Sequence, residues 1–137
     1  PVWKAPSATT KPHSSAVNVH SAGCGPVRVL LTQSATKENM GGQRVLFDFY
    51  SKEAQRLGYT ARSAFKLLEL QQRLHIIPKH GRVLDLGCHP GAWLQVVCSN
   101  LGPKNKGGQV LGIDIQPTEI PSKYCDNRVT VWQAHAR

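Results

Sequence analysis

The stretch that decides the fold is residues 82–93, which read RVLDLGCHPGAW. Its first half is apolar apart from one acid and predicts a β-strand over residues 83–86. Its second half carries Gly87 and Gly91 and then passes into a helical pattern that begins at Trp93. Glycine lets the backbone come close to a ligand, and a helix N-terminus presents free N–H donors. The unit therefore predicts a site for a nucleotide-like cofactor.

The spacing of the glycines distinguishes this turn from a dinucleotide-binding turn. The sequence has Gly-x-x-x-Gly with Pro90 inside, whereas the dinucleotide fingerprint is Gly-x-Gly-x-x-Gly. Cys88 and His89 lie where that fingerprint needs its further glycines. We therefore expect a turn that binds a nucleotide-like group and is not built for a pyrophosphate.

Helical and strand patterns alternate around this unit. Apolar residues at helical spacing follow a plausible N-cap at Ser63, and apolar β-branched runs follow the glycine turn. The predicted helices cover residues 51–57, 63–74 and about 93–101, and the predicted strands cover 83–86, 110–115 and 128–132. Strand–helix–strand order with apolar strands predicts an α/β fold with a parallel sheet of Rossmann type.

Two acids are candidates for cofactor contacts. Asp114 ends the second predicted strand, 27 positions after Gly87. An acid at that place commonly accepts hydrogen bonds from ribose hydroxyls, although a strand-end aspartate can also be structural. Asp85 precedes the turn and suits either loop N–H groups or a cofactor amine, with a structural role about as plausible. Trp93 suits either shelter for the cofactor or plain packing.

A basic and aromatic stretch precedes the predicted sheet. Lys52, Arg56 and Arg62 alternate there with Tyr50 and Tyr59. Spaced cations with interleaved aromatic rings suit phosphate contacts and base stacking. The plainer alternative is a solvated helix face.

Lys66 stands out because it lies between two apolar residues in the most apolar helix. A lysine held near apolar walls can lose proton affinity and act as a general base. Most lysines on amphipathic helices nevertheless point to water, so this pattern is weak when taken alone.

The composition favours a polyanionic partner. The 137 residues carry 17 Lys and Arg against 8 Asp and Glu, a net charge of +9. Nucleic acid is the first candidate and an anionic membrane surface the second, while a basic protein without a specific contact is the plain alternative. No apolar stretch approaches the roughly 20 residues of a membrane span. The four cysteines have no C-x-x-C pairing, which argues against zinc and for reduced intracellular thiols.

The first part of the chain differs from the rest. Residues 1–41 are rich in small and polar residues and poor in acids, with one short apolar patch at residues 27–31. They suit an organellar transit peptide for chloroplast or mitochondrion, a disordered extension, or translated sequence upstream of a start at Met40. We therefore divide the chain into an N-terminal extension, 1–41, and a globular part, 42–137.

Five segments of the chain together form a pattern known from other proteins. They are DFY (48–50), AQRLGY (54–59), ARSAFKLLE (61–69), VLDLGCHPGAW (83–93) and VLGID (110–114). In this order they resemble the FtsJ/RrmJ-type RNA 2′-O-methyltransferases, and the sequence looks most like the plant members. The match extends over about residues 46–135, and the presence of separate motifs in the right order makes the resemblance specific.

The resemblance implies a Rossmann-like methyltransferase fold with S-adenosylmethionine as cofactor. The family's cofactor-binding positions fall on Gly87, Pro90, Gly91, Trp93 and Asp114. The first lysine of its Lys-Asp-Lys-Glu catalytic set falls on Lys66, an orienting and electrostatic partner, because the second lysine is the main base. The implied substrate is a ribose 2′-hydroxyl in RNA, most often ribosomal RNA, and the implied partner is ribosomal RNA or the ribosomal large subunit.

The sequence also departs from the family pattern. His89 replaces a small residue of the glycine turn, where its bulk would crowd the methionine end of the cofactor. His135 replaces an aspartate that contacts the adenine. The chain stops after about the third strand, before the catalytic aspartate, the second lysine and the glutamate. A half sheet of this kind is expected to leave an apolar edge unpaired.

Three functions follow, in this order. The first is an RNA 2′-O-methyltransferase of which the chain is the N-terminal half. The second is a non-catalytic basic module that binds RNA or the ribosome. The third is a nicotinamide-dependent enzyme, which the glycine spacing disfavours.

Overall fold

The computed structural model describes residues 17–21, 24–31 and 43–135. Within them, strands and helices follow one another along the chain. The strands are β1 (Val17–Ser21), β2 (Cys24–Leu31), β3 (Arg82–Leu86), β4 (Gln109–Asp114) and β5 (Val129–Gln133), and the helices are α1 (Gln43–Leu57), α2 (Ala64–Leu74) and α3 (Ala92–Asn100). A short 3-10 turn covers Lys104–Lys106.

The five strands form one sheet in the order β1-β2-β3-β4-β5. β1 is antiparallel to β2, while the pairs β2–β3, β3–β4 and β4–β5 are parallel. In the centre, Leu84 of β3 pairs with Val29 on one side and with Leu111 on the other. The prediction of an α/β fold with a Rossmann-like parallel sheet is confirmed.

The core lies between this sheet and α3. Val83 and Val110 of the two central strands are each 2% exposed, and Leu94 and Val97 of α3 are completely buried. α3 is buried along nearly its whole length, which explains why its sequence is apolar all round instead of striped. The site described below therefore rests on a rigid, fully packed layer.

The predicted boundaries differ from the structure mainly at α1, which begins at Gln43 and not at residue 51. At α2, Ser63 takes the predicted N-cap position, but its side chain makes no capping hydrogen bond. The strands β3, β4 and β5 agree with the predicted ones within two residues.

The N-terminal strands are a correction to the sequence analysis, which recognised only an apolar patch at residues 27–31. β2 includes that patch and pairs along the whole of β3. β2 therefore covers one side of β3, and the outer strands of the sheet in the described ranges are β1 and β5. The expectation of an unpaired apolar edge stays a prediction. A five-residue patch is too short to predict a strand by itself, and its pairing partner lies more than 50 residues away in the chain. The division of the chain at residue 41 stays a prediction.

None of the helices in the described ranges is long and apolar enough to cross a membrane.

Candidate functional site

The glycine turn joins β3 to α3 at the carboxyl edge of the parallel strands. The Gly87 N–H donates to the Ile113 carbonyl of β4 at 2.8 Å, and the Gly91 N–H donates to the Cys88 carbonyl at 2.6 Å. Gly87 and Gly91 have φ angles of 79° and 99°, which only glycine adopts without strain. Ligands of open α/β sheets bind outside this edge, so the turn lies where the sequence predicts a cofactor.

Asp114 is placed beside this turn by the end of β4. Its Oδ2 accepts the His89 N–H at 2.8 Å, and its Oδ1 accepts the Gln116 N–H at 2.8 Å. The carboxylate is therefore oriented by backbone donors on both sides. Each of its oxygens keeps a second lone pair, so the group can still accept hydrogen bonds from a ligand. The structure thus brings together the predicted turn and the predicted acid.

His89 is an exposed residue of the glycine turn. Its Nδ1 lies 3.3 Å from the Thr118 hydroxyl, in the loop that follows β4. The neighbouring Pro90 is also exposed. The imidazole therefore lies over the Asp114 side of the edge.

Trp93 lies in the core, with 4% of its surface exposed, at the start of α3. Its Nε1–H donates to the Ser63 carbonyl at 3.0 Å, and the Lys66 N–H donates to the same carbonyl at 3.2 Å. This shared acceptor fixes the first turn of α2 beside the glycine turn. Direct contact of Trp93 with a cofactor stays a prediction.

Lys66 is exposed on that first turn of α2. It borders a shallow groove along the helix, whose other lining residues are Glu69, Leu70, Arg73 and Leu74. The apolar neighbours Phe65 and Leu67 are buried, so the helix turns the lysine to the outside. Its backbone lies at the predicted edge, and its catalytic role stays a prediction.

The three cations predicted to bind RNA lie on α1 and in the turn after it. Lys52 and Arg56 are exposed and four residues apart, so they share one face of α1. Arg56 forms a 2.6 Å ion pair with Glu53, which lowers the pKa of that carboxyl through a hydrogen bond to the guanidinium. Arg62 is exposed between α1 and α2. Lys52 is thus a stronger candidate for a phosphate contact than the paired Arg56.

Gln95 is a residue that the sequence analysis missed. It is 1% exposed on α3, and its Oε1 accepts the Thr60 N–H at 2.8 Å while its Nε2 donates to the Gly58 carbonyl at 3.0 Å. The amide therefore fixes the segment between α1 and α2, which carries Arg62. One polar residue inside an apolar helix was the available signal.

The loop over residues 115–128 was also missed as part of the site. Its Tyr124 hydroxyl donates to the Leu57 carbonyl at 2.7 Å, and its Lys123 Nζ donates to the same oxygen at 2.6 Å. The Tyr124 ring stacks on Tyr59, with ring centroids 5.2 Å apart. The loop therefore ties the carboxyl edge of β4 to the end of α1, a link that only the tertiary structure shows.

The interior of the turn is acidic and apolar. Asp85 is fully buried in β3, and Cys88 is 2% exposed above it. Burial, followed by the nearby Asp85 carboxylate, raises the pKa of the Cys88 thiol to about 11. Cys88 is therefore a neutral packing residue at physiological pH. No cluster of three or more potential metal ligands occurs in the described part of the chain.

A glycine turn at the end of one parallel strand, with an oriented acid at the end of the next, defines a Rossmann-like cofactor-binding fold. The family model described as FtsJ-like methyltransferase matches residues 59–137, more than half of the chain. The chain belongs to this family.

Several known proteins with similar sequences are named ribosomal RNA large subunit methyltransferase E. That of Paramagnetospirillum magneticum is 50% identical over 76 residues, which cover 53% of this chain and 31% of the relative. That of Methanocaldococcus jannaschii is 45% identical over 84 residues, which cover 61% of this chain and 32% of the relative. The matched segment thus spans about a third of the length of these relatives.

A crystal structure assigned to a ribosomal RNA methyltransferase of Plasmodium falciparum is also similar. The sequences are 31% identical, and the match covers 56% of this chain and 38% of that one, with a TM-score of 0.47.

Proposed function

We propose that the chain is the cofactor-binding part of a ribosomal RNA methyltransferase that uses S-adenosylmethionine and methylates a ribose 2′-hydroxyl. The observation that carries this proposal is the Asp114 carboxylate, held at the end of β4 by the His89 N–H of the glycine turn. Family membership and the names of the relatives support it.

The residues at this edge fit the proposed cofactor. A carboxylate that is oriented from the protein side and keeps lone pairs suits the two vicinal hydroxyls of a ribose. Gly87 and Gly91 carry no side chains, so the backbone of the turn can come close to a ligand, while Pro121 packs on the turn at Gly91. When bound, S-adenosylmethionine supplies a methyl group on a sulfonium, which is electrophilic.

The other residues then have positional roles. Asp114 binds the ribose, while Gly87, Pro90 and Gly91 line the cofactor side of the turn. Trp93 fixes α2 against this turn through the Ser63 carbonyl. Holding the two reactants in line supplies much of the rate acceleration in such a transfer.

The RNA side of the proposal rests on exposed cations. Lys66 is exposed on the first turn of α2, and its ammonium would stabilise charge on the substrate and orient the hydroxyl. Lys52, Arg56 and Arg62 would bind RNA phosphates, with Arg56 also paired to Glu53. These contacts imply that affinity for ribosomal RNA falls as salt rises.

The test is a transfer assay on the whole gene product that carries this segment. With methyl-labelled S-adenosylmethionine and ribosomal RNA, we expect label in ribose. Lys66→Ala should lower turnover by about 100-fold or more, the usual scale for a group that acts in the transition state, with little change in cofactor affinity.

The matched control is Lys79→Ala, which removes an exposed lysine from the loop between α2 and β3. It should transfer the label like the wild type. RNA binding without any transfer would support the non-catalytic module instead, and label in a base would contradict the 2′-hydroxyl as substrate.

A further inference from the structure

Two buried thiols face each other at a distance from the glycine turn. Cys98 lies on α3, and Cys125 lies in the loop before β5, 27 residues later. Their sulfurs are 3.0 Å apart and share a hydrogen bond, and the residues are 6% and 9% exposed. A disulfide has sulfurs about 2.05 Å apart, so a shift of about 1 Å would join them.

The segment that carries Cys125 also covers the candidate site. The Cys125 N–H donates to the Pro121 carbonyl at 3.0 Å. Pro121 in turn packs on the glycine turn, since a Cβ placed on Gly91 would lie 2.7 Å from its Cγ. A bond from Cys125 to α3 would therefore fix the loop that lies against Gly91.

The two thiols are not chemically equivalent. The hydrogen bond between the two sulfurs lowers the pKa of Cys98, whereas the same hydrogen bond, followed by burial, raises the pKa of Cys125. The thiolate is the form that reacts with oxidants. Cys98 is accordingly the first sulfur to react, and Cys125 stays a thiol beside it.

We propose that Cys98 and Cys125 form a reversible oxidation site, whose disulfide fixes the loop over residues 115–128 against α3. The oxidant is a small peroxide, which suits a buried pair. The Cys98 thiolate takes one peroxide oxygen to become a sulfenic acid and releases hydroxide. The Cys125 thiol then displaces that oxygen as water, so that two thiols and one hydrogen peroxide give one disulfide and two waters.

The first test is the intact mass of the full chain after exposure to hydrogen peroxide. We expect the loss of two hydrogen atoms, reversal by dithiothreitol, and a linked peptide that joins Cys98 to Cys125. A gain of oxygen, a linkage through Cys24 or Cys88, or a mixture of pairings would overturn the proposal.

The matched variants are single serine substitutions. Cys88→Ser, at another buried cysteine, should lose two hydrogens like the wild type, whereas Cys98→Ser and Cys125→Ser should not. If either of the latter loses them as readily, the pair is not the site. The linked peptide of the wild type decides the matter even where a variant fails to fold.

The second test is amide hydrogen exchange in the loop. Oxidation should slow exchange of the amides at residues 118–125 by about 10-fold or more, because opening this loop would require breaking the cross-link. The effect should disappear in Cys125→Ser. Equal exchange rates in the oxidised and reduced wild type would contradict the proposal that the disulfide holds the loop against α3.

Discussion

The two strands that flank β3 differ in how the chain specifies them. β4 follows the glycine turn and α3, lies within the family match and ends in Asp114. β2 precedes residue 40 and lies outside that match. Both are parallel to β3 over its whole length. In the classic doubly wound order 3-2-1-4-5-6, with β3 as strand one, β4 holds the place of strand two and β2 the place of strand four.

The difference shows that one apolar strand can be paired by two kinds of neighbour. β4 is specified locally, by a turn and a helix that return the chain to the sheet. β2 is specified by its partner, because an unpaired parallel edge would leave backbone N–H and C=O groups without hydrogen bonds. The contribution of β2 to the free energy of unfolding is therefore the first quantity to measure.

The largest expected effect is at Leu30, which is 2% exposed in β2. Leu30→Asp removes core packing, worth about 2–5 kcal/mol, and buries a carboxylate without a partner. Since a domain of this size is stable by only about 5–15 kcal/mol, we expect extensive unfolding, measured by urea titration with circular dichroism.

The neighbour Leu31 provides the control, because it lies on the opposite face of the same strand and is 37% exposed. Leu31→Asp should change the free energy of unfolding much less. Equal effects of the two substitutions would show that Leu30 is not part of the core in solution.

The next effect tests the packing of the glycine turn on β4 at Cys88. Its Sγ lies close to Gly112 of β4, since a Cβ built on that glycine would be 2.9 Å away. Burial raises the pKa of Cys88 from 9.0 to about 11 in the folded protein. The folded state therefore holds this proton more tightly than the unfolded state does. The resulting stability is complete below about pH 9 and is lost as the pH rises through about 11.

The expected alkaline loss from this one thiol is on the order of 2–3 kcal/mol. The measurement compares urea unfolding of the wild type and Cys88→Ala under reducing conditions at neutral and alkaline pH. The variant should lose less stability than the wild type across that interval. Identical pH dependence would contradict a buried neutral thiol against β4.

A further effect of similar or smaller size tests how the family-matched region holds the segment between α1 and α2. Gln95→Leu removes the hydrogen bonds to Thr60 and Gly58 and leaves those backbone groups without them. We expect a loss of about 1–3 kcal/mol in the free energy of unfolding. Gln72→Leu, at an exposed glutamine of α2, is the matched control and should hardly change the free energy of unfolding. Equal losses in the two variants would show that the hydrogen bonds of the buried Gln95 do not stabilise the fold.

Features whose residues lie within about 30 positions of one another could be predicted from the sequence. The strand at residues 83–86, its glycine turn and Asp114 all follow from apolar runs, glycine spacing and a strand-end acid. Gln95, Tyr124 and the Cys98–Cys125 pair could not be predicted in the same way. Their partners lie 27 to 67 residues away, and each contact forms only when α3 or the loop over residues 115–128 packs against a distant part of the chain.

β2 shows the same limit for secondary structure. Its apolar patch is short and flanked by small and polar residues, so no strand period extends beyond it. This segment is a strand because it pairs with β3, and a local sequence pattern cannot predict a pairing with such a distant segment.

The central claim is that Asp114 and the glycine turn bind the ribose end of S-adenosylmethionine. The most direct measurement is calorimetric binding of S-adenosylmethionine to the wild type and to Asp114→Asn, with Glu119→Gln as a control that removes the same charge from the exposed loop nearby. The account predicts binding by the wild type and the control, and a loss of about 1–3 kcal/mol in Asp114→Asn. Equal affinity in all three proteins, or no binding by the wild type, would contradict it.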